Sequence, residues 1–330
     1  GLIMATYKEI RGTQIEAVAT DPSNPGEGQV WYNTTSNVLK GLAATTAGSW
    51  ATTNSLNQPR EALAAAGSAP ASTSLVYLGF NNPTKYAQTE LFNGTNWTEL
   101  NDANTARANA AGFGISTAAI AAGGYLGPPG STAIVESWNG TNWTEVNDLN
   151  QHKYTSGGAG TSTAGLIFGG GTTPPYGVLD ETETWNGTNW TEVNDLNTAR
   201  TGIGGCGATN TEALAFGGSV SPQAQTESWN GTNWTEVNDL TTGRQTVGSA
   251  GIYTSALAAG GNTGTPSNKT EVWNGTNWTE DGDLNTARYN LEGGGTTSSA
   301  VMAGGDTGSI SGASEEWTGA GPVTRTFTDS

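Results

Sequence analysis

The phrase WNGTNWTEVNDLNTAR, read at residues 185–200, recurs with small changes along most of this chain. Its second tryptophan stands at six positions that are 44 to 47 residues apart, namely Trp50, Trp97, Trp143, Trp190, Trp234 and Trp278. Ten positions after each of them comes a basic residue, at Arg60, Arg107, Lys153, Arg200, Arg244 and Arg288. A period of about 40 to 50 residues is typical of propellers and solenoids, in which each unit is one supersecondary element that needs its neighbours.

The repeat at 200–240 contains four short segments of strand character, separated by turn residues. They are Thr201–Ala208, Ala213–Phe216, Thr226–Trp229 and Asn233–Asn238. The first is rich in glycine and small side chains, which suits a crowded innermost strand beside a central channel. Asn230-Gly231 predicts a tight hairpin, since a type I′ turn requires positive φ at both central residues. Four antiparallel strands per unit predict the blade of an all-β propeller.

Glycine pairs and aromatic residues recur at fixed places in the units. A pair ends the second strand at Gly123-Gly124, Gly169-Gly170, Gly217-Gly218, Gly260-Gly261 and Gly304-Gly305. The third strand carries an aromatic residue at Phe92, Trp138, Trp185, Trp229, Trp273 and Trp317. Together with the outer tryptophan and the basic residue, this pattern resembles the kelch repeat over residues 48–330, which implies a kelch-like β-propeller. The pattern is broken at Gly79-Phe80 in the first unit and at Pro322 in the last.

We expect six blades, because six sets of the first three strands begin at the six basic residues. The Trp50 segment has no complete unit before it, so it should close the ring as the outer strand of the last blade. The alternative is a seventh blade, built from the hairpin at 30–41, the Trp50 segment and a C-terminal strand at Val323–Thr328. The predicted domains are 1–47, an attachment segment with a short β-hairpin, and 48–330, the propeller.

Length differences between the units fall largely between the second and third strands. Strand direction places these six loops on one face of a propeller. Two interpretations are open: surface loops vary because little constrains them, or the loops form a ligand-binding face on a rigid ring. For the second interpretation the candidate contact residues are Tyr86, Tyr125, Pro128, Tyr176, Asp180, Gln223 and Asn268. Aromatic and amide side chains of this kind suit carbohydrate, and the loops of the second and third units are the most aromatic.

A glutamate precedes the third-strand aromatic in every unit, at Glu90, Glu136, Glu183, Glu227, Glu271 and Glu315. This glutamate and the basic residue occur once per blade, so we expect them to form structural hydrogen bonds and not a binding site. The Asn-x-Thr sequences of NGTNWT match glycan acceptors. We expect no signal peptide, however, and therefore predict that they are turn and strand residues.

Composition argues against several classes of function. The net charge of −17 would repel nucleic acid, and no apolar run approaches the length of about 18 residues that membrane insertion requires. Cys206 and His152 are the only residues of their kinds, so no zinc site or Ser-His-Asp set is available. We predict no enzyme activity, no cofactor and no metal. A calcium site and a two-carboxylate glycosidase site stay open, without a recognisable ligand spacing to support the first.

Residues 28–35 read GQVWYNTT. This stretch resembles the openings of structural proteins from tailed bacteriophages, particularly marine ones, where G-x-V-W-Y-N-T-T precedes fibre or appendage domains. The resemblance implies that residues 1–47 dock onto other virion proteins. It also implies a tail-fibre or decoration protein on the tail or capsid surface, whose propeller contacts a host-surface glycan or protein. The alternatives are a cellular kelch scaffold for protein interactions and a purely structural virion component, and a homo-oligomer is left open.

Overall fold

The computed structural model describes residues 15–23, 28–44, 47–128, 130–219 and 224–327. The chain divides into two compact units, of which the first is Gly1–Gly48 with Ala320–Ser330 and the second is Ser49–Gly319. The predicted propeller domain, 48–330, therefore extends too far, because the last strand of the chain belongs to the first unit. Among the described residues, no helix has the length and apolar character needed to cross a membrane.

The first unit is one four-stranded sheet with the order β1-β2-β3-β30. Its strands are β1 (Glu16–Val18), β2 (Val30–Asn33), β3 (Val38–Ala44) and, from the end of the chain, β30 (Pro322–Phe327). The predicted hairpin is the antiparallel pair β2–β3. Asp21 holds this hairpin, because its carboxylate accepts hydrogen bonds from Trp31 Nε1 at 3.0 Å, Asn33 Nδ2 at 2.7 Å and Lys40 Nζ at 2.7 Å.

The second unit consists of six four-stranded antiparallel sheets, the blades of a propeller. Blade 1 contains β5 (Ala64–Ala65), β6 (Leu75–Tyr77), β9 (Thr89–Phe92) and β10 (Trp97–Glu99), together with the helical turn Ala71–Thr73 and the small hairpin β7 (Phe80–Asn81) and β8 (Thr84–Lys85). Blade 2 contains β11 (Ala111–Ile115), β12 (Ala118–Ala122), β13 (Val135–Trp138) and β14 (Trp143–Val146). Blade 3 contains β15 (Gly157–Thr161), β16 (Ala164–Thr172), β17 (Gly177–Trp185) and β18 (Trp190–Val193).

The remaining blades repeat this plan from the innermost to the outer strand. Blade 4 contains β19 (Gly204–Thr209), β20 (Glu212–Phe216), β21 (Thr226–Trp229) and β22 (Trp234–Val237). Blade 5 contains β23 (Gly248–Ile252), β24 (Ser255–Ala259), β25 (Thr270–Trp273) and β26 (Trp278–Glu280). Blade 6 contains β27 (Glu292–Gly295), β28 (Ser299–Ala303), β29 (Ser314–Thr318) and, from the start of the unit, β4 (Ser49–Thr53).

Strand β4 closes the ring by pairing with β29, so that Trp50 lies opposite Trp317. The ring centroids of these two residues are 5.3 Å apart. The prediction of six blades, with Trp50 in the outer strand of the last one, is confirmed. The seven-bladed alternative is wrong, because the described part of the C-terminal segment, Pro322–Phe327, is not an outer strand of a blade. The edge of β29 is already occupied by β4, and the C-terminal strand pairs with β3 instead.

The Asn-Gly turns differ from the predicted type. In blade 4 Gly231 has a φ of +88°, whereas Asn230 is not in the left-handed region. The prediction of a type I′ turn is therefore wrong. Asn230 instead forms an Asx turn, in which its Oδ1 accepts hydrogen bonds from the backbone N–H groups of Thr232 at 3.0 Å and Asn233 at 2.9 Å. Asn233 Oδ1 in turn accepts a hydrogen bond from Asn194 Nδ2 of the preceding blade at 2.8 Å.

Tryptophans fill the spaces between neighbouring blades. Trp234 of blade 4 packs against blade 3, where its Nε1 donates to Thr182 Oγ1 at 3.0 Å. The same bond to a Ser or Thr hydroxyl of the preceding blade is made by Trp50, Trp97, Trp143 and Trp278. Trp190 donates to a backbone carbonyl instead, since Val135 stands where the hydroxyl would be. Aromatic side chains bury about 150 to 250 Å² each, so these residues supply the core of a chain that is only 34% hydrophobic.

A buried ion pair links the opening of each blade to its third strand. In blade 4 Arg200 Nη2 lies 2.9 Å from Glu227 Oε1. The equivalent pairs, at 2.5 to 3.2 Å, are Arg60–Glu90, Arg107–Glu136, Lys153–Glu183, Arg244–Glu271 and Arg288–Glu315. Asn197 donates both its backbone N–H and its Nδ2 to Glu227 Oε2 at 2.8 Å. Because buried charges are costly unless they are paired and hydrogen-bonded, these groups hold each connection against the sheet.

Candidate functional site

The two faces of the propeller differ in how much the blades vary. One face carries the turns between first and second strands and, in blades 1 to 5, the near-identical hairpins between third and outer strands. The other carries the loops between second and third strands and the connections from each outer strand to the next blade. We call this second face the loop face. Contacts that distinguish one blade from another are concentrated there.

On the loop face, blades 1 to 3 bring together Phe80, Lys85, Tyr125, Tyr154 and Tyr176, which we call the aromatic patch. Lys85 Nζ lies 5.4 Å from the ring centroid of Phe80 and 5.3 Å from that of Tyr125. The rings of Tyr125 and Tyr154 are 6.0 Å apart with an interplanar angle of 46°. Burial raises the pKa of Tyr154, and the neighbouring Tyr176 and Tyr125 raise it further. The patch therefore joins residues from three loops and one connection.

Backbone pairing fixes the two central tyrosines of the patch. Tyr125 exchanges hydrogen bonds with Ala108, N–H to carbonyl at 2.7 and 3.1 Å. Tyr154 makes the same exchange with Gly171, at 3.0 and 2.9 Å. Each pairing extends a blade beyond its regular strands, so the rings rest on sheet-like backbone and not on free loops. A rigid mount of this kind reduces the entropy lost when a ligand binds.

Large apolar side chains are exposed at the edge of the patch. Tyr176 is 88% exposed at the tip of the hairpin β16–β17. Val178, two residues later in the same hairpin, and Leu126, in the loop of blade 2, are also exposed. This hairpin is longer than its counterparts, because the pairing continues through Gly170–Leu179 and Thr172–Gly177 after a register shift. Much of the predicted variable loop of blade 3 is therefore strand.

The predicted contact residues do not all come together. Tyr125 and Tyr176 belong to the aromatic patch, and Pro128 is exposed in the same loop as Tyr125. Asp180 lies within β17, half-buried, and so is not part of a loop. Gln223 lies outside the described residues.

The other two predicted residues form hydrogen bonds with connections between blades. Tyr86 Oη accepts a hydrogen bond from Gln58 Nε2 at 2.9 Å. In blade 5, the backbone carbonyl oxygen of Asn268 accepts a hydrogen bond from the backbone N–H of Leu284 at 2.9 Å. Tyr86 is thus tied to the connection that leads into its own blade, and Asn268 to the connection that leads into the next one.

Sequence reasoning missed Lys85 and Tyr154. Tyr154 directly follows a basic repeat residue, where the other units have Glu61, Ala108, Thr201, Gln245 and, in the last unit, Tyr289. The residue type alone therefore gave only a weak signal. His152 was also interpreted as incidental. In the structure its Nδ1 lies 2.7 Å from Ser131 Oγ, and Ser131 Oγ donates to the Thr173 carbonyl oxygen at 3.2 Å, which links the loops of blades 2 and 3.

Six backbone hydrogen bonds encircle the mouth of the central channel on the loop face. The residues two positions after each basic repeat residue all have φ between 51° and 68°, namely Ala62, Asn109, Thr155, Gly202, Thr246 and Asn290. Each N–H donates to the carbonyl oxygen of its counterpart in the preceding blade at 2.8 to 3.1 Å, and Ala62 donates to Asn290 to complete the cycle. Hydrogen bonds in such a chain polarise one another, so the ring holds the six connections in register.

Below this mouth, Glu292 is the one residue with a carboxyl group among the described residues that line the cavities of the channel. It lines both a cavity of about 40 Å³ among the innermost strands and another of about 50 Å³ at the mouth. Spaces of this size hold a few water molecules. The equivalent positions of the other blades are occupied by Ala64, Ala111, Gly157, Gly204 and Gly248. Burial raises the pKa of Glu292 to about 8.

Reactive side chains are sparse in the part of the chain that the structure describes. No group of three His, Cys, Asp or Glu side chains lies close enough there to hold a metal ion. Burial raises the pKa of the Cys206 thiol to about 12, which keeps it in the unreactive protonated form.

Comparison with known proteins bears on the fold. No protein-family model matches the chain, and no curated protein sequence matches it. Among solved structures, the one titled "Structure of YjhT" is similar with a TM-score of 0.65 and 12% sequence identity, covering 83% of this chain and 99% of that one. At this identity the likeness extends to the architecture alone. The second unit of this chain is a six-bladed β-propeller.

Proposed function

We propose that the chain is a non-enzymatic virion protein of a tailed bacteriophage, whose propeller contacts carbohydrate on the host surface through the aromatic patch. The observation that carries this proposal is the aromatic patch itself. It is formed by the loops that differ most between units, on a ring whose other features repeat almost unchanged. Variation confined to one rigid face is typical of a binding surface.

The chemistry of the patch favours sugars among ligand classes. Tyrosine offers a flat apolar ring face and a hydroxyl that forms hydrogen bonds, and a sugar presents both C–H and O–H groups. Tyr176 leaves most of its ring accessible, while Tyr125 and Tyr154 are held by backbone pairing. A ligand can therefore contact these rings without first ordering the loops.

The proposed place in a virion rests on sequence resemblance. The stretch GQVWYNTT contains strand β2, and the β2–β3 hairpin belongs to a unit distinct from the propeller. This division suits a protein that attaches through residues 1–47 and recognises its ligand through a kelch-like propeller. The Gly-Gly pairs and the Trp, Arg and Glu residues of each blade support the kelch-like assignment.

Adsorption of particles to host cells tests the binding role. Tyr125→Ala and Tyr176→Ala should each reduce the adsorption rate several-fold, because each removes a ring face from the patch. Ile115→Ala is the matched control, since Ile115 is 44% exposed but lies on the opposite face. Unchanged adsorption by both tyrosine variants would contradict the proposal and favour a virion component without a ligand.

Immunogold electron microscopy with an antibody against residues 48–330 tests the location. We expect label on the tail, a vertex or the capsid surface of particles from the source material. Label confined to cells, with bare particles, would contradict the virion assignment and favour a cellular kelch scaffold.

A further inference from the structure

Lys85 differs from every other basic residue of the propeller that the structure describes. Seven of these eight residues lie within 4 Å of a carboxylate: Arg60, Arg107, Lys153, Arg200, Arg244, Lys269 and Arg288. Lys85 makes no ion pair with a described residue. In a chain with a net charge of −17, a cation left without a carboxylate is an exception that needs a physical reason.

The position of Lys85 is maintained by aromatic rings. Its Nζ lies between Phe80 and Tyr125, within 5.4 Å of both ring centroids. A cation at this distance is attracted to the ring faces, but the rings do not neutralise its charge or use up the three hydrogen-bond donors of an ammonium group. Lys85 is thus held in place and still able to bind an anion.

The surroundings leave space for the ammonium group. At Gly127, φ is +98° and an added Cβ would lie 3.2 Å from Lys85 Nζ, so any larger residue would crowd it. Glu61 is the acidic residue whose backbone pairs with Phe80. Its carboxylate is engaged elsewhere, since Asn290 Nδ2 donates to Glu61 Oε2 at 2.8 Å.

We infer that the aromatic patch binds a saccharide with an anionic substituent, a carboxylate or a sulfate, which contacts Lys85 while the sugar rings lie against Tyr125 and Tyr176. This inference rests on the proposed function and specifies its ligand class. The acidic surface repels polyanions in general. A ligand with one anionic group is therefore favoured only when that group lies at Lys85.

Binding of defined saccharides to the full chain tests the inference. The probes are a galactose hexamer that ends in one galacturonic acid, the same hexamer with that carboxyl methyl-esterified, and a galactose hexamer with a single sulfate. A charge-assisted hydrogen bond contributes about 1.5 to 3 kcal/mol, which corresponds to a preference of about tenfold or more for an acidic probe over the ester. The preference should decrease as salt is added, because exposed charges are screened.

Variants separate the charge of Lys85 from its packing. Lys85→Met keeps most of the apolar stem and should abolish the preference for acidic probes, whereas Lys85→Arg should retain it. Lys269→Met is the matched control, because Lys269 is also a half-buried lysine of the propeller and is already paired with Glu280 and Asp283.

The outcomes distinguish the inference from the proposed function. If the ester binds as tightly as the acid, or if Lys85→Met keeps the preference, the inference of an anionic ligand is wrong. The proposal that the patch binds saccharides is then unaffected. If no probe binds, the inference is overturned, and particle adsorption by Tyr176→Ala then decides the proposed function independently.

Discussion

The substitution Glu292→Gln preserves the size of the side chain and removes its charge. Burial in the channel raises the pKa of Glu292 from 4.5 to about 8. Between these pH values the folded chain keeps a proton that the unfolded chain has released. The unfolded state therefore binds fewer protons, and the free energy of unfolding falls as the pH rises through this interval. Below it, both states are protonated and the group has no effect on stability.

The size of the effect follows from the width of this interval. Each pH unit within it lowers the free energy of unfolding by about 1.4 kcal/mol, so the full shift sets an upper limit of about 5 kcal/mol. Glu292 lines cavities that can hold water, which reduces the cost of its charge. We therefore expect a loss of about 2 kcal/mol by about pH 9. Glutamine cannot ionise, so the variant should not show this loss.

Urea unfolding followed by tryptophan fluorescence measures the difference at about pH 4, pH 7 and pH 9. Glu292→Gln should match the native protein at the lowest pH and exceed its stability by about 2 kcal/mol at the highest. Glu236→Gln is the control, because it makes the same change of charge on an exposed part of outer strand β22. If the curves for the native protein and Glu292→Gln stay parallel over the whole range, the argument from channel burial is wrong.

Two further predictions concern the residues that repeat in each blade. Glu227→Ala leaves Arg200 buried without its partner, and loss of one partner of a buried pair costs about 3 to 5 kcal/mol; a loss below about 1 kcal/mol in urea unfolding would mean that the pair is accessible to water. Trp234→Phe leaves the buried hydroxyl of Thr182 without its donor as well as reducing ring size, so stability should fall by about 1 to 3 kcal/mol. An unchanged thermal midpoint would contradict the importance of that bond.

The ring could be predicted because its determinants are local and repeated. The outer tryptophan and the basic residue ten positions later define where each blade ends and the next begins. Because these residues recur six times, the units of one chain can be compared with each other. The same logic placed Trp50 in the last blade, since its segment matched the others without a preceding unit.

The aromatic patch, the proposed binding surface, could be predicted only in part, because its contacts join loops that have no internal copies. Tyr125 and Tyr176 were identifiable by residue type alone. Lys85 gains its significance from a distance to Tyr125, which lies in another blade and is not visible in either loop sequence. Asp180 was misplaced for a related reason: the extension of β16 and β17 depends on cross-strand pairing that glycine-rich sequence does not indicate.

The proposed binding role and the expected pH response both depend on residues that depart from the repeat. Tyr154 and Tyr289 stand beside a repeated cation where the other four units have Glu61, Ala108, Thr201 and Gln245. Glu292 replaces Gly or Ala on an innermost strand. Each departure brings a cost that the ordinary residue avoids: an aromatic ring partly exposed on the loop face, and a carboxyl group in a narrow channel. Neither is required to build a blade, because the other blades form without them. Side chains of this kind are therefore the ones whose removal should alter binding or pH response while leaving the six-bladed ring intact.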